Sequence, residues 1–292
     1  MSNDTATEAQ LKAISQANCY PYTRGLVPAY GYYPSEAAGI IFVVLFAIPF
    51  FYHTFQSLRL RVSTSILLAL GALTELVGWA ARLYSSRCSY NGNAFLAQEV
   101  TLIIAPVFFS AALYVLLGRL IIGLGRSSSM LSPKMYTIVF CTCDVVSLVV
   151  QAVGGAQTST ASSTDQAGKE LGTHIMVAGI AFQLFTMTLF GLLLIDFFRR
   201  VFSRGSEFRG FVTAPVQRVL VALVISFIMI YIRSIYRTIE LAQGWTGYLI
   251  THEGYFIGLD ASIMVIAVGV FVAVDPALHS TQENAMVVSI KW

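Results

Sequence analysis

Charge is what this sequence has least of. Asp, Glu, Lys and Arg together make up 11% of its 292 residues, against roughly 25% in an ordinary soluble domain. A water-facing surface on a chain of this size cannot be covered with so few, so a soluble globular protein is excluded. Repeats are missing too, which excludes collagen and coiled coil, and the apolar content is far too high for a disordered tail. No P-loop, no Rossmann glycine pattern and no EF-hand pattern is found, so no nucleotide or cofactor site is expected. Residues 1–35 lack an apolar signal-peptide core, which makes the first hydrophobic stretch the expected first inserted segment.

What is present is hydrophobicity, 56% of the chain, with aromatics at 13%. A membrane-crossing helix needs about 20 apolar residues. Seven stretches qualify, at 37–55, 63–84, 98–124, 134–155, 172–198, 215–240 and 252–274. The first, third, fifth and seventh are apolar around most of their circumference, unlike the one-sided helices of a soluble bundle. The sequence therefore predicts an all-α polytopic membrane protein with seven transmembrane helices. Its expected organisation is an extracellular tail over 1–36, a seven-helix domain over 37–275 and a cytoplasmic tail over 276–292.

Basic residues near the span ends set the expected orientation. Arg59, Arg61, Arg119, Arg126, Lys134, Arg199, Arg200, Arg204, Arg209, Arg218 and Lys291 fall on one side. Lys12, Arg24, Arg82, Arg87 and Lys169 fall on the other. Eleven against five places the richer side in the cytoplasm, with the N-terminus outside and the C-terminus inside. Asn3-Asp4-Thr5, a weak glycosylation sequon, lies on the outer side. So do Cys19 and Cys88, where oxidising conditions allow the disulfide predicted between them. Cys141 and Cys143 fall inside the fourth stretch and make a poor zinc site without a second pair. Tyr20, Tyr22, Tyr30, Tyr32 and Tyr33 precede Pro34; they read as an interfacial belt or as a cover over the outer mouth.

Ionisable residues inside spans are costly and normally face the bundle interior. Here they form stripes. Glu75, Gly78, Trp79 and Arg82 share one face of the second stretch, and Asp144, Ser147 and Gln151 share one of the fourth. Gly172, Gly179 and Gln183 lie together on the fifth, with His174 near its outer end. Arg233, Arg237 and Glu240 mark the sixth; His252, Glu253 and Asp260 mark the seventh. These stripes converge on the outer half of the bundle, where a polar chamber is expected. Six acids, Glu75, Glu99, Asp144, Glu240, Glu253 and Asp260, oppose Arg82, Arg233 and Arg237. If the carboxylates are ionised, that excess suits a cationic head group better than a phosphate.

In their order along the chain these residues resemble the fungal lipid-translocating exporters, also called the resistance-to-aminocholesterol-like proteins. The resemblance runs from Tyr33-Pro34-Ser35 to Pro276. It is carried by Glu75-x-x-Gly78-Trp79-x-x-Arg82, by Ala105-Pro106 with Ala111-Ala112-x-Tyr114 and Gly118-Arg119, and by Asp144-x-x-Ser147-x-x-x-Gln151-x-x-Gly154-Gly155. Gly179-x-x-x-Gln183, Arg233-Ser234-x-Tyr236-Arg237-x-x-Glu240 and His252-Glu253-x-Tyr255-Phe256-x-x-x-Asp260 complete it. The resemblance implies a seven-span fungal protein of the plasma membrane. It also implies a link to resistance toward amphiphilic toxicants, release of sphingoid bases or porphyrin traffic. It brings no catalytic residue with it.

The expected partners are therefore membrane lipids and a lipid-like amphiphile (sphingoid base, sterol-like or porphyrin-like), with nothing pointing to nucleic acid. The candidate site is Glu75, Trp79, Arg82, Asp144, Ser147, Gln151, Gln183, Arg233, Arg237, Glu240, His252, Glu253 and Asp260. Two rival classes stay open. An intramembrane lipid hydrolase would need a metal, for which His174 and His252 are the weak candidates. A seven-helix receptor or regulator would use the basic loop FFRRVFSRGSEFRG, which serves equally well as an inner-leaflet anchor.

Overall fold

The computed structural model describes residues 19, 28, 30–124, 128–161, 165–203, 214–244 and 247–274. The sequon at Asn3, the basic residues Lys12, Arg24, Arg126, Arg204, Arg209 and Lys291, the tyrosines Tyr20 and Tyr22, and the tail over 276–292 lie outside the described residues. So does most of the basic loop after Ser203. Seven helices are each long and apolar enough to cross a membrane: α1 (Glu36–Leu60), α2 (Ser63–Arg87), α3 (Gly92–Leu124), α4 (Pro133–Thr160), α5 (Gln166–Ser203), α6 (Ala214–Ala242) and α7 (Glu253–Ala273). No strand occurs among the described residues.

The helices outrun the apolar stretches that predict them. α3 starts at Gly92 instead of 98, and α4 continues to Thr160 through residues expected as loop. Helical hydrogen bonding is satisfied within the segment and carries on into water, so hydropathy marks the hydrocarbon boundary and not the helix end. α1 opens on Ser35, whose hydroxyl accepts the Ala38 N–H, with Glu36 in the first turn to meet the helix dipole. It closes at Arg61 in the left-handed conformation, φ 51°, leaving two residues before α2.

Exposure is inverted relative to a soluble bundle. On α4 the buried face is Tyr136, Phe140, Asp144, Ser147, Gln151 and Gly154, while Val145, Val146, Val149 and Val153 face outward. α1 likewise turns Ile40, Ile41, Val44, Ile48 and Phe51 outward. Polar groups are hidden and aliphatic ones displayed, as hydrocarbon solvent requires. Each helix packs on its neighbours in sequence, α7 returns to α1 to close the ring, and α3, the most enclosed span, also touches α6.

Two local features shape the interior. α4 and α5 meet through glycine: a Cβ on Gly154 would come within 2.6 Å of the Gly172 carbonyl and the Met176 amide, so only a bare backbone fits. α7 is not the continuous α-helix expected over 252–274. Residues Ile257–Ser262 form a π-helical turn with buried Asp260 inside it, a distortion that occurs frequently at functional sites. At the end where α2 gives way to α3, the predicted Cys19–Cys88 disulfide is present, Cα–Cα 4.7 Å.

Candidate functional site

Nearest the disulfide end, Arg82 is 1% exposed on α2 and engaged through both of its Nη atoms, while Nε has no hydrogen-bond partner. Its Nη2 lies 2.7 Å from Glu253 Oε1 and donates to the Tyr32 hydroxyl at 2.8 Å; its Nη1 donates to Gln98 Oε1 at 3.3 Å. The rings of Tyr30, Tyr32, Trp79 and Phe256 surround its guanidinium carbon at 4.7–5.7 Å, close enough for cation–π attraction. Tyr30 also donates to Gln98 at 2.8 Å, and Glu253 accepts the Ser35 N–H at 2.9 Å. Residues 30–35, α1, α2, α3 and α7 are thus tied together at one point. Burial pushes the Tyr30 and Tyr32 phenols above the ordinary tyrosine range, against the pull of neighbouring Arg82, so both stay neutral. Of the tyrosine-rich lead-in, Tyr30 and Tyr32 pack onto Arg82, and Tyr30 bonds Gln98 of α3.

One turn along α6, Arg237 is shared. It meets Glu99 at 2.9 Å, Glu240 at 2.7 Å and Asp260 at 3.9 Å, and Tyr236 donates to Glu240 at 2.9 Å. A further turn away, Arg233 Nε faces Asp260 Oδ1 at 2.9 Å, and Nη2 donates to the Leu102 carbonyl at 2.7 Å. Glu75 lies in the same region, within electrostatic reach of Arg233, Asp260 and Arg237. It is 0% exposed, and neither carboxyl oxygen accepts a hydrogen bond. The Trp79 indole N–H one helical turn away makes no hydrogen bond of normal length and acts on the Glu75 carboxyl only weakly.

The α4 stripe stands apart. Asp144 accepts a hydrogen bond from Tyr114 at 3.1 Å and makes no ion pair among the described residues. Ser147 donates to the Gly179 carbonyl at 2.7 Å, and Gln151 donates to Ser147 at 2.8 Å and to Gln183 at 3.1 Å. The ring order explains the separation, because α3 lies between α2 and α4 and turns the α4 stripe toward α5 and Tyr114.

A crevice lined by Glu99, Ile103, Gln151, Met176, Ile180, Arg237, Glu240, Leu241 and Ile250 has a volume of about 20 Å³, room for a water molecule and not for a head group. The three arginines that the sequence set against six acids are all paired, with Glu253, Asp260, Glu99 and Glu240. The acidic excess is therefore located: Glu75 and Asp144 make no salt bridge among the described residues, and Glu99 and Glu240 share the single guanidinium of Arg237.

Of the expected site residues, Glu75, Trp79, Arg82, Arg233, Arg237, Glu240, Glu253 and Asp260 come together. Asp144, Ser147, Gln151 and Gln183 form the second group. His252 is exposed and rests on Tyr248, its Nδ1 2.7 Å from the Tyr248 carbonyl. His174 is exposed on α5. No group of three or more His, Cys, Asp or Glu among the described residues could hold a metal ion, so the hydrolase reading gains no support. Glu99, Gln98, Tyr30, Tyr32, Tyr114 and Tyr236 were not in the candidate set. For Glu99 the signal was available, since it is an acid at the mouth of a span.

Comparison with known proteins places this arrangement. The family described as "RTA1 like protein" matches residues 68–283, nearly all of the charged stripes included. The chain belongs to the RTA1-like family. The sphingoid long-chain base transporter RSB1 of Saccharomyces cerevisiae is 33% identical over 269 residues, covering 81% of this chain and 70% of the relative. Protein RTM1 of the same yeast is 32% identical over 219 residues, 74% of this chain and 68% of the relative. Protein RTA1 is 29% identical over 278 residues, 86% and 85% of the two chains. No solved structure matches this RTA1-like chain. It is a multi-pass membrane protein.

Proposed function

We propose that the protein binds and moves long-chain amphiphilic amines, sphingoid bases first among them, through the outer half of its bundle at the plasma membrane. The observation that carries this reading is the sharing of Arg237 between Glu99 and Glu240 at the edge of an apolar crevice. One guanidinium between two carboxylates leaves a formal negative charge, which an ammonium group neutralises and a phosphate or carboxylate does not. Ile103, Met176, Ile180 and Leu241 offer an apolar wall for an alkyl chain, and Gln151 a hydrogen-bonding partner for hydroxyls. A porphyrin's carboxylates would need free arginines, and these are paired. A neutral sterol would have no use for the carboxylates. The relative named as a sphingoid long-chain base transporter supports the same substrate class.

The Cys19–Cys88 disulfide supports an outward-facing crevice end, since disulfides persist in oxidising compartments. The basic excess at the opposite end agrees. The site proposed is the expected set with Glu99 added and His252 left aside.

The test is flux of radiolabelled dihydrosphingosine in vesicles reconstituted with the full chain, beside a fatty acid of equal length. The amine is expected to move at least tenfold faster than in protein-free vesicles, the acid no faster, and an E99Q/E240Q variant to lose most of the difference. Equal acceleration of amine and acid, or wild-type flux from the double variant, sinks the reading.

A further inference from the structure

We propose that Glu75 is a proton-binding site whose proton is exchanged against the Arg233–Asp260 ion pair. The proposal goes beyond the transport reading; only the flux arm of its test rests on that reading.

Glu75 occupies the centre of α2 at 0% exposure, and neither of its oxygens accepts a hydrogen bond of normal length. A carboxylate buried without a hydrogen bond or a direct cation costs several kcal/mol, whereas the neutral acid costs far less. Glu75 therefore carries a proton in this arrangement. The charged groups acting on it are few. α6 contributes Arg233 and Arg237, and α7 contributes Asp260. α1 offers Phe42 stacked on Trp79, α3 offers Leu102, and α2 itself offers the indole of Trp79. None of these last three is titratable near neutral pH.

Two acids thus compete for Arg233, and the competitor is movable. Asp260 sits inside the π-turn Ile257–Ser262, where α7 holds an extra residue per turn. Returning that turn to α-helical spacing rotates the preceding segment relative to the following one by about 100° and about 1.5 Å. Such a shift takes Asp260 away from Arg233 and leaves the guanidinium to Glu75, whose proton passes to the Asp260 carboxylate that has lost its partner. A metal cation does not fit the same place. Hard cations take about six or more oxygen ligands, and here the site has the two oxygens of Glu75 among aromatic and aliphatic neighbours. Glu75 is therefore a proton carrier. Inward movement of one proton balances the outward movement of one ammonium group.

The test has two arms on the full-length chain. In lipid films, the infrared difference between wild type and E75Q is expected to contain a protonated-carboxyl C=O band, absent from a wild-type-minus-D144N spectrum at the same frequency. A difference spectrum with only an ionised-carboxylate signal overturns the proposal. In vesicles, dihydrosphingosine flux by wild type is expected to change at least fivefold on imposing a pH gradient, and flux by E75Q to ignore it. An unchanged gradient response in E75Q overturns the proposal as well. Gln mimics the neutral acid in shape, so failure of E75Q to fold where wild type folds also counts against it. If wild type moves no amine at all, the transport reading fails, and the infrared arm still decides Glu75.

Discussion

Arg82 offers the sharpest test of how charge is held inside this bundle. R82M keeps much of the volume and removes the charge. It abolishes the 2.7 Å contact to Glu253, the hydrogen bonds to Tyr32 and Gln98, and the attraction of four ring faces. Removing one partner of a buried pair costs about 3–5 kcal/mol. Glu253 is 18% exposed and keeps the Ser35 N–H, so water relieves part of that cost and the lower end of the range applies. E253Q is the gentler change. The amide keeps an acceptor for Nη2, and Arg82 retains Tyr32, Gln98 and its rings, so a loss of about 1–2 kcal/mol is expected. Equilibrium unfolding in mixed micelles, read by tryptophan fluorescence, measures both. R82M is expected to cost about twice as much as E253Q or more. If the two cost the same, or if both fall near the ~0.6 kcal/mol average of neutral polar contacts in membranes, the aromatic box does not stabilise the guanidinium and the argument fails.

Replacing both bridged cysteines, C19S/C88S, opens a loop with a sequence separation of 69. Loop-closure entropy sets an upper limit of about 4 kcal/mol on the loss, and dithiothreitol is expected to reproduce it in the wild type. G154L drives a side chain into the Gly172 carbonyl and should cost about 1–3 kcal/mol or more. G155L next to it meets only Met176, at 3.8 Å for a Cβ, and should be tolerated in the same unfolding titration. The buried phenols of Tyr30 and Tyr32 bind their protons more tightly in the folded than in the unfolded chain. Their contribution is therefore intact below pH ~10 and lost above it as unfolded tyrosines ionise. A pH series of unfolding curves should show that alkaline loss, and Y30F/Y32F should flatten it.

Seven spans could be read from the sequence because run length is a one-dimensional signal and hydrocarbon thickness a fixed ruler. The faces could be read as well, since the helical period alone puts Glu75, Trp79 and Arg82 on one side. Neither property says which helix lies opposite. Arg82 meets Glu253, 171 positions away, and not the nearer Glu99, because α7 closes the ring beside α1 and α2. Asp144 shares the interior with the other acids and yet stands in another sector, facing Tyr114. Depth and face follow from the chain; position around the ring follows from packing between helices far apart in sequence. The π-turn at IGLDAS has no periodicity or composition signal in the sequence, and the residue inside it, Asp260, finds its partners, Arg233 and Arg237, on another helix.

The same distribution of contacts decides where the bundle can widen. Ion pairs and their hydrogen bonds join α2, α3, α6 and α7, through Arg82–Glu253, Arg233–Asp260 and Arg237–Glu99. Parting any of those helices at that end breaks a largely buried charge pair, at about 3–5 kcal/mol for a fully buried one. α4 and α5 are bound to each other by glycine packing and by the Ser147, Gln151 and Gln183 hydrogen bonds. α5 touches α6 through Gly191 against Phe227, Thr188 with Tyr231 and Met187 with Ser234, all on the far side of the crevice from the disulfide end. Moving the α4–α5 pair away from α6 about those contacts separates Met176 and Ile180 from Leu241, and none of the ion pairs named above joins these helices. Exposing such side chains to lipid is cheap, because the hydrocarbon around them is as apolar as the wall they leave. On the proposed function, an alkyl amine is therefore expected to reach the Glu99–Arg237–Glu240 cluster laterally, between α5 and α6, from the hydrocarbon.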